Sequence, residues 1–212
     1  FKESRLSFRA ALGFRQEELM QAGVQVRGAT PDFSQGPVQA TGSTWDLAID
    51  GEGFFALQLP NGEIGYSRMG SFHPDGSRRL VNDQGLLLLP PITVPEGAEF
   101  VTIDAQGLVT VVQDGLPQII GGLELARFAN PQGLAHRGGG IYAPTAASGG
   151  PIVSAPAEDG AGQILAGALE MSNVDPARQM VSLLHVQKAY GLALRAIYVT
   201  DQMATITNQL EA

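Results

Sequence analysis

No cysteine occurs anywhere in the 212 residues. That excludes disulfides, thiolate metal sites and cysteine nucleophiles. Charge is scarce too, at 16% of residues, and acidic in balance, with a formal net charge of −8 and a pI near 4.8. A nucleic-acid surface needs clustered Lys and Arg, so no nucleic acid is expected as a partner. Long apolar runs are missing. The longest candidate, Leu86–Leu89, is stopped by Pro90-Pro91, well short of the roughly 18–20 residues of a membrane span, so no membrane insertion is expected. Phe1–Arg15 carries charges throughout and has no apolar centre, so nothing there reads as a cleaved signal. His73, His136 and His185 stand in separate segments without H-x-x-x-H spacing or an acidic cluster, and there is no G-x-S-x-G elbow. The expectation is no metal, no cofactor and no catalytic residue: a protein that is not an enzyme. Asp50, Asp75, Asp114 and Asp159 each precede a glycine, which suits turn formation better than a glycosidase pair.

Turn formers are what the chain has in quantity, with 27 Gly and 13 Pro beside 44% hydrophobic residues. Together with so few charges they favour short strands and tight connections. In Thr41–Phe55, the residues Trp45, Leu47 and Ile49 alternate with Asp46, Ala48 and Asp50, as a strand with one buried face does. Asp50-Gly51 and Gly53 then turn the chain into a new apolar run from Phe54 to Leu59. Gly51-x-Gly53 lacks the third glycine and the following helix of a phosphate loop, so it reads as part of a hairpin. Further hairpins are expected at Asn61-Gly62, Asp75-Gly76, Gln106-Gly107 and Asp114-Gly115. Ile119–Phe128 reads as the longest β run, and residues 134–163 as loop-rich.

The ends differ from this pattern. Phe1, Phe8, Leu12 and Leu19 fit one stripe of a helix over residues 1–22, interrupted by Gly13, and an extended connector follows. After Asn173 the period changes again. Asp175 suits an N-cap and Pro176 a first helical position, which predicts a helix to about Leu210, some 50 Å long at 1.5 Å per residue. One apolar stripe holds Leu183, Val186, Tyr190, Ala193 and Ile197. A second, displaced by roughly 120°, holds Leu192, Ala196, Val199, Met203, Ile206 and Leu210. A helix lying on its own β domain needs one such stripe. Two stripes point to contacts with other helices, including those of other subunits, through Leu183, Val186, Tyr190, Leu192, Ile197, Val199, Met203, Ile206 and Leu210. The fold class expected is mainly β: an irregular domain of short antiparallel hairpins at 33–171. A helical or extended segment precedes it at 1–32, and a long C-terminal assembly helix follows at 172–212.

Several phrases carry a resemblance. Phe33-Ser34-Gln35-Gly36 followed by Thr41-Gly42 and Asp46-Leu47-Ala48-Ile49 into Gly51, Gly53, Phe54 and Phe55 is one. Tyr66-Ser67-Arg68-Met69-Gly70-Ser71-Phe72, Phe128–Leu134 (F-A-N-P-Q-G-L) and Gly167–Val174 (G-A-L-E-M-S-N-V) are others, as are Gln187–Tyr190 and Asp201-Gln202-Met203. Together they resemble the bacterial flagellar basal-body rod and hook proteins, the axial family, over almost the whole chain. Pro176-Ala177-Arg178 and the mid-helix Gly191 depart from the family pattern. The resemblance implies a self-assembling structural subunit of the rod, closest in kind to its distal members. A proximal rod or hook-type paralogue is the alternative. It implies copies of itself, neighbouring rod and hook proteins and the surrounding basal-body rings as partners. It also implies a place in the flagellar basal body of the cell envelope, reached by flagellar export without signal cleavage, and a role in motility by torque transmission. Phe1-Lys2 is similar to the end of the family's N-terminal helical signature, so the chain is expected to be part of a longer protein. The competing reading from another class is a secreted β-rich carbohydrate-binding or hydrolytic domain.

Overall fold

A computed structural model describes residue 2 and residues 4–10, 24–98 and 100–210. Side chains are described at Lys2, over 31–192 outside residue 99, and at Arg195, Tyr198, Val199 and Gln202. The chain divides into two units, Phe1–Asn173 and Val174–Ala212.

The first unit is built from short antiparallel strands. In chain order these are β1 (Ser4–Ala10), β2 (Val24–Pro31), β3 (Val38–Ala40), β4 (Leu47–Asp50), β5 (Phe54–Gln58) and β6 (Ile64–Ser67). There follow β7 (Phe72–Pro74), β8 (Leu80–Asn82), β9 (Leu87–Leu89), β10 (Phe100–Ile103), β11 (Leu108–Gln113) and β12 (Leu116–Gly122). The last six are β13 (Leu125–Arg127), β14 (Ala135–Gly138), β15 (Ile141–Ala143), β16 (Ile152–Ser154), β17 (Gln163–Ala166) and β18 (Ala168–Glu170). The largest sheet has nine strands, and β5 is its hub, pairing with β6, β9 and β13. Strand periodicity explains why two adjacent phenylalanines start it. Phe55 and Leu57 enter one cluster with Leu47, Ile49, Leu80, Leu88 and Ile164. Phe54 and Ala56 face a second with Tyr66, Phe128, Leu134 and Tyr142. Phe33 caps that second cluster edge-on, its ring 5.2 Å from Phe54 and 4.9 Å from Tyr142.

The turns form where glycine pairs mark them, with one difference of chemistry. Asp114 and Gly115 both take positive φ, 52° and 74°, the two-residue turn that matches strand twist between β11 and β12. In the β7–β8 turn the left-handed residue is Arg78 (φ 61°) rather than Gly76. Its geometry is held by the Asp75 carboxylate, which accepts from the Ser77 and Arg79 N–H groups and the Arg79 guanidinium.

Three expectations are corrected. The helical reading of residues 1–22 fails over 4–10, which are strand β1 paired with β2. Leu6, Phe8 and Ala10 alternate with Arg5, Ser7 and Arg9, a period of two that the wider spacing of Phe1, Phe8 and Leu12 obscured. Residues 11–23 of that expected helix lie outside the described residues. The run Ile119–Phe128 is two strands, β12 and β13, interrupted at Leu123 and Glu124. Finally, β4 is covered on both faces. Ala48 is as fully buried as Leu47 and Ile49, while Trp45 precedes the strand and packs half-buried on the core.

The second unit is one helix, α1 (Pro176–Leu210), of 35 residues. Asp175 caps it, accepting the Ala177 N–H at 2.9 Å and the Arg178 N–H at 3.3 Å. No described helix is long and apolar enough to cross a membrane.

Candidate functional site

Within the β unit the recurring phrases of the sequence meet at one place. Glu170, at the end of β18, is nearly sealed from solvent and faces Arg68, which follows β6. The Arg68 Nε donates to Glu170 Oε2 at 2.9 Å, and Nη2 lies 2.8 Å from the same oxygen. Nη1 donates to the carbonyls of Gly51 and Gly53 at 2.8 and 2.9 Å, and Nη2 to that of Ile49 at 3.2 Å. The other carboxylate oxygen accepts from the Lys2 ammonium and from the Gly36 N–H at 3.0 Å. Nearby, Asn173 Nδ2 donates to the carbonyls of Asp32 and Ser34, to which Lys2 also reaches at 2.7 Å.

Glycine is required here by space. A Cβ on Gly70 would lie 1.6 Å from the Leu47 carbonyl oxygen, and one on Gly36 would lie 2.0 Å from that of Met171. Burial pushes the Glu170 carboxyl up, but the bond from Lys2, the Gly36 N–H and the charge of Arg68 outweigh it and hold it below the usual range. Burial likewise lowers the Lys2 ammonium, against the pull of Glu170.

This arrangement binds segments together. A groove of about 270 Å³ beside it is lined by Met69, Met171, Tyr142, Gln84 and the ion pair, without a nucleophile and base in partnership. Among the described residues no group of His, Asp and Glu converges to hold a metal, and His136 rests edge-on against Tyr142. The aspartates before glycines serve turns and loops. Asp50 accepts from Gln35 and Gln163, and Asp114 and Asp159 adopt positive φ.

The residues expected to form an assembly surface all fall on α1. Leu183, Val186, Tyr190, Leu192 and Val199 are each 52–66% exposed. Met180, Val181, Leu184 and Tyr198 are exposed as well, so apolar side chains run round the circumference. Ile197, Met203, Ile206 and Leu210 continue the same helix, and their side chains lie outside those described. Periodicity missed Arg68 and Glu170, although both were visible as the lone charges inside otherwise apolar and turn-forming phrases.

A β unit tied off by a buried ion cluster is followed by a capped helix rich in exposed apolar side chains. Residues 48–111 match the family described as flagellar hook protein FlgE/F/G D1 domain, and 165–210 that of the flagellar basal body rod FlgEFG protein C-terminal. The flagellar basal-body rod protein FlgG of Borreliella burgdorferi is 39% identical over 193 residues, 89% of this chain and 73% of the relative. FlgG of Caulobacter vibrioides is 38% identical over 202 residues (92% and 77%), and FlgF of the same organism 32% over 214 (91% and 82%). The chain belongs to the flagellar basal-body rod protein family. It is a structural, self-assembling axial subunit.

Proposed function

We propose that the chain is a subunit of the distal part of the bacterial flagellar rod, and that copies stack helically through α1 to carry torque from motor to hook. The observation that supports this most is the exposure of large apolar side chains between Met180 and Val199 of this 35-residue helix. Each forgoes roughly 1.5–3 kcal/mol of burial while in water. A stripe through Leu183, Val186, Tyr190 and Ile197 and another through Leu192, Val199, Met203, Ile206 and Leu210 would each be covered by a neighbouring helix. Residues 33–171 would serve as the outer domain, 172–212 as the assembly segment and 1–32 as the N-terminal segment. The partners are further copies, adjoining rod and hook proteins and the surrounding rings. The place of work is the basal body in the cell envelope, reached by flagellar export without signal cleavage. Similarity to FlgF at nearly equal coverage keeps a rod paralogue as the second reading.

Hydrogen exchange on the full chain tests the assembly role. The expected result is that α1 exchanges fastest in dilute solution and becomes protected as concentration rises, while β5 stays protected throughout. Equal protection of α1 at every concentration would count against it.

A further inference from the structure

Within the β unit, β3 and β18 form one narrow ribbon, paired over three residue pairs, through which residues 32–37 and 171–173 connect to the core strands. Little apolar surface holds this ribbon in place. All three β3 residues are exposed, and β18 buries only Ala168 fully. Its inner end is tied by the Gly167 and Ala168 N–H groups, both donating to the Asp46 carbonyl. At its outer end, where Glu170 pairs with Val38, the buried tie to the core strands is Arg68. The exposed Gln35 adds bonds to Asp50 and Gly51.

Four N–H groups of the Arg68 guanidinium donate, one to Glu170 Oε2 and three to the carbonyls of Ile49, Gly51 and Gly53, and Nη2 lies 2.8 Å from the same carboxylate oxygen. Those carbonyls lie at the end of β4 and in the turn into β5, the hub strand of the largest sheet. We infer that Arg68 and Glu170 are positioning residues for force transfer. Load arriving along residues 32–37 or 171–173 passes from the Glu170 carboxylate through the planar guanidinium into β4 and β5. Lys2 and the Gly36 N–H hold the carboxylate's other oxygen, so these segments share that side chain, beside the edge-on packing of Phe33 on Phe54 and Tyr142. The inference rests on the torque-carrying reading above. A planar fork keeps its direction under load, whereas a lysine ammonium offers a point charge on a flexible stem.

The test uses the full chain as parent, Glu170→Gln, and Arg68→Lys, which keeps the charge and loses the fork. Exchange on the purified proteins is read beside flagellar rotation in cells carrying each variant as their rod subunit. In both variants the ribbon amides Thr41, Gly167 and Met171 should exchange faster by about tenfold or more, with β5 and β9 accelerated clearly less. Cells should rotate normally at low viscosity and fail at high viscosity. Rotation at high load equal to the parent's would overturn the inference. So would equal acceleration of β5 and β9, which would make the pair ordinary core. Recovery of ribbon protection in Arg68→Lys would leave charge alone as the cause and overturn it too. A parent chain that never enters rods would defeat the torque reading itself and the inference with it.

Discussion

In the β unit Phe55, Leu57 and Leu88 are sealed from solvent, whereas on α1 Leu183, Val186 and Leu192 are 58–66% exposed. The two regions share a taste for Leu and Val but solve opposite problems. The β unit buries its hub strand within itself, with an aromatic on each face, and leaves Phe100, Leu116, Ile119, Ile152 and Val153 of β10, β12 and β16 more than half exposed. The helix carries a burial demand that has to be met elsewhere, since isolated helices are marginal in water. A subunit that must fold alone and then polymerise needs both. On the proposed function, assembly is driven by the helix and the β unit keeps its shape throughout.

Breaking the first half of that contrast should give the largest effect. Phe55→Ala removes a buried ring from the main cluster and should destabilise the β unit by about 3–5 kcal/mol. Urea unfolding followed by fluorescence isolates that unit, because Trp45 is the only tryptophan and packs on the same cluster. Next comes Arg68→Met, which strands the Glu170 carboxylate in a nearly dry site and should cost about 3 kcal/mol in the same assay.

Acid should separate the two regions as well. The folded Glu170 carboxyl titrates below its unfolded value, so its contribution is present above the ordinary carboxylate range and is lost as pH falls through the folded pKa. Stability of the β unit should decline with acid in that window, and less steeply in Glu170→Gln. The smallest effect sharpens the second half of the contrast. Asp175→Ala removes the cap of α1 and should cost about 1 kcal/mol of helix stability. Far-UV circular dichroism should register it, while the Trp45 unfolding curve stays in place.

Much of this contrast was legible in the sequence, for physical reasons that differ by region. The start of α1 could be read because capping is local: Asp175 and Pro176 carry their roles within one turn. Asp114-Gly115 was equally local. Asp75-Gly76 located its turn but did not reveal that Arg78 is its left-handed residue, beside an Asp75 carboxylate that accepts from the Ser77 and Arg79 N–H groups. The helical reading of Ser4–Ala10 failed where a few widely spaced apolar residues fit both periods, and pairing with β2 decided the outcome. The Arg68–Glu170 clamp was beyond periodicity, since it joins residues 102 positions apart.

Sedimentation of the full chain across a range of concentrations, beside the double variant Leu183→Glu/Val186→Glu, tests most directly whether α1 is an assembly element. The parent should pass from monomer to larger species as concentration rises. The double variant should remain monomeric, with the Trp45 unfolding curve of the parent. A parent that stays monomeric at every concentration would contradict the assembly role of α1, and so would a double variant whose β unit unfolds.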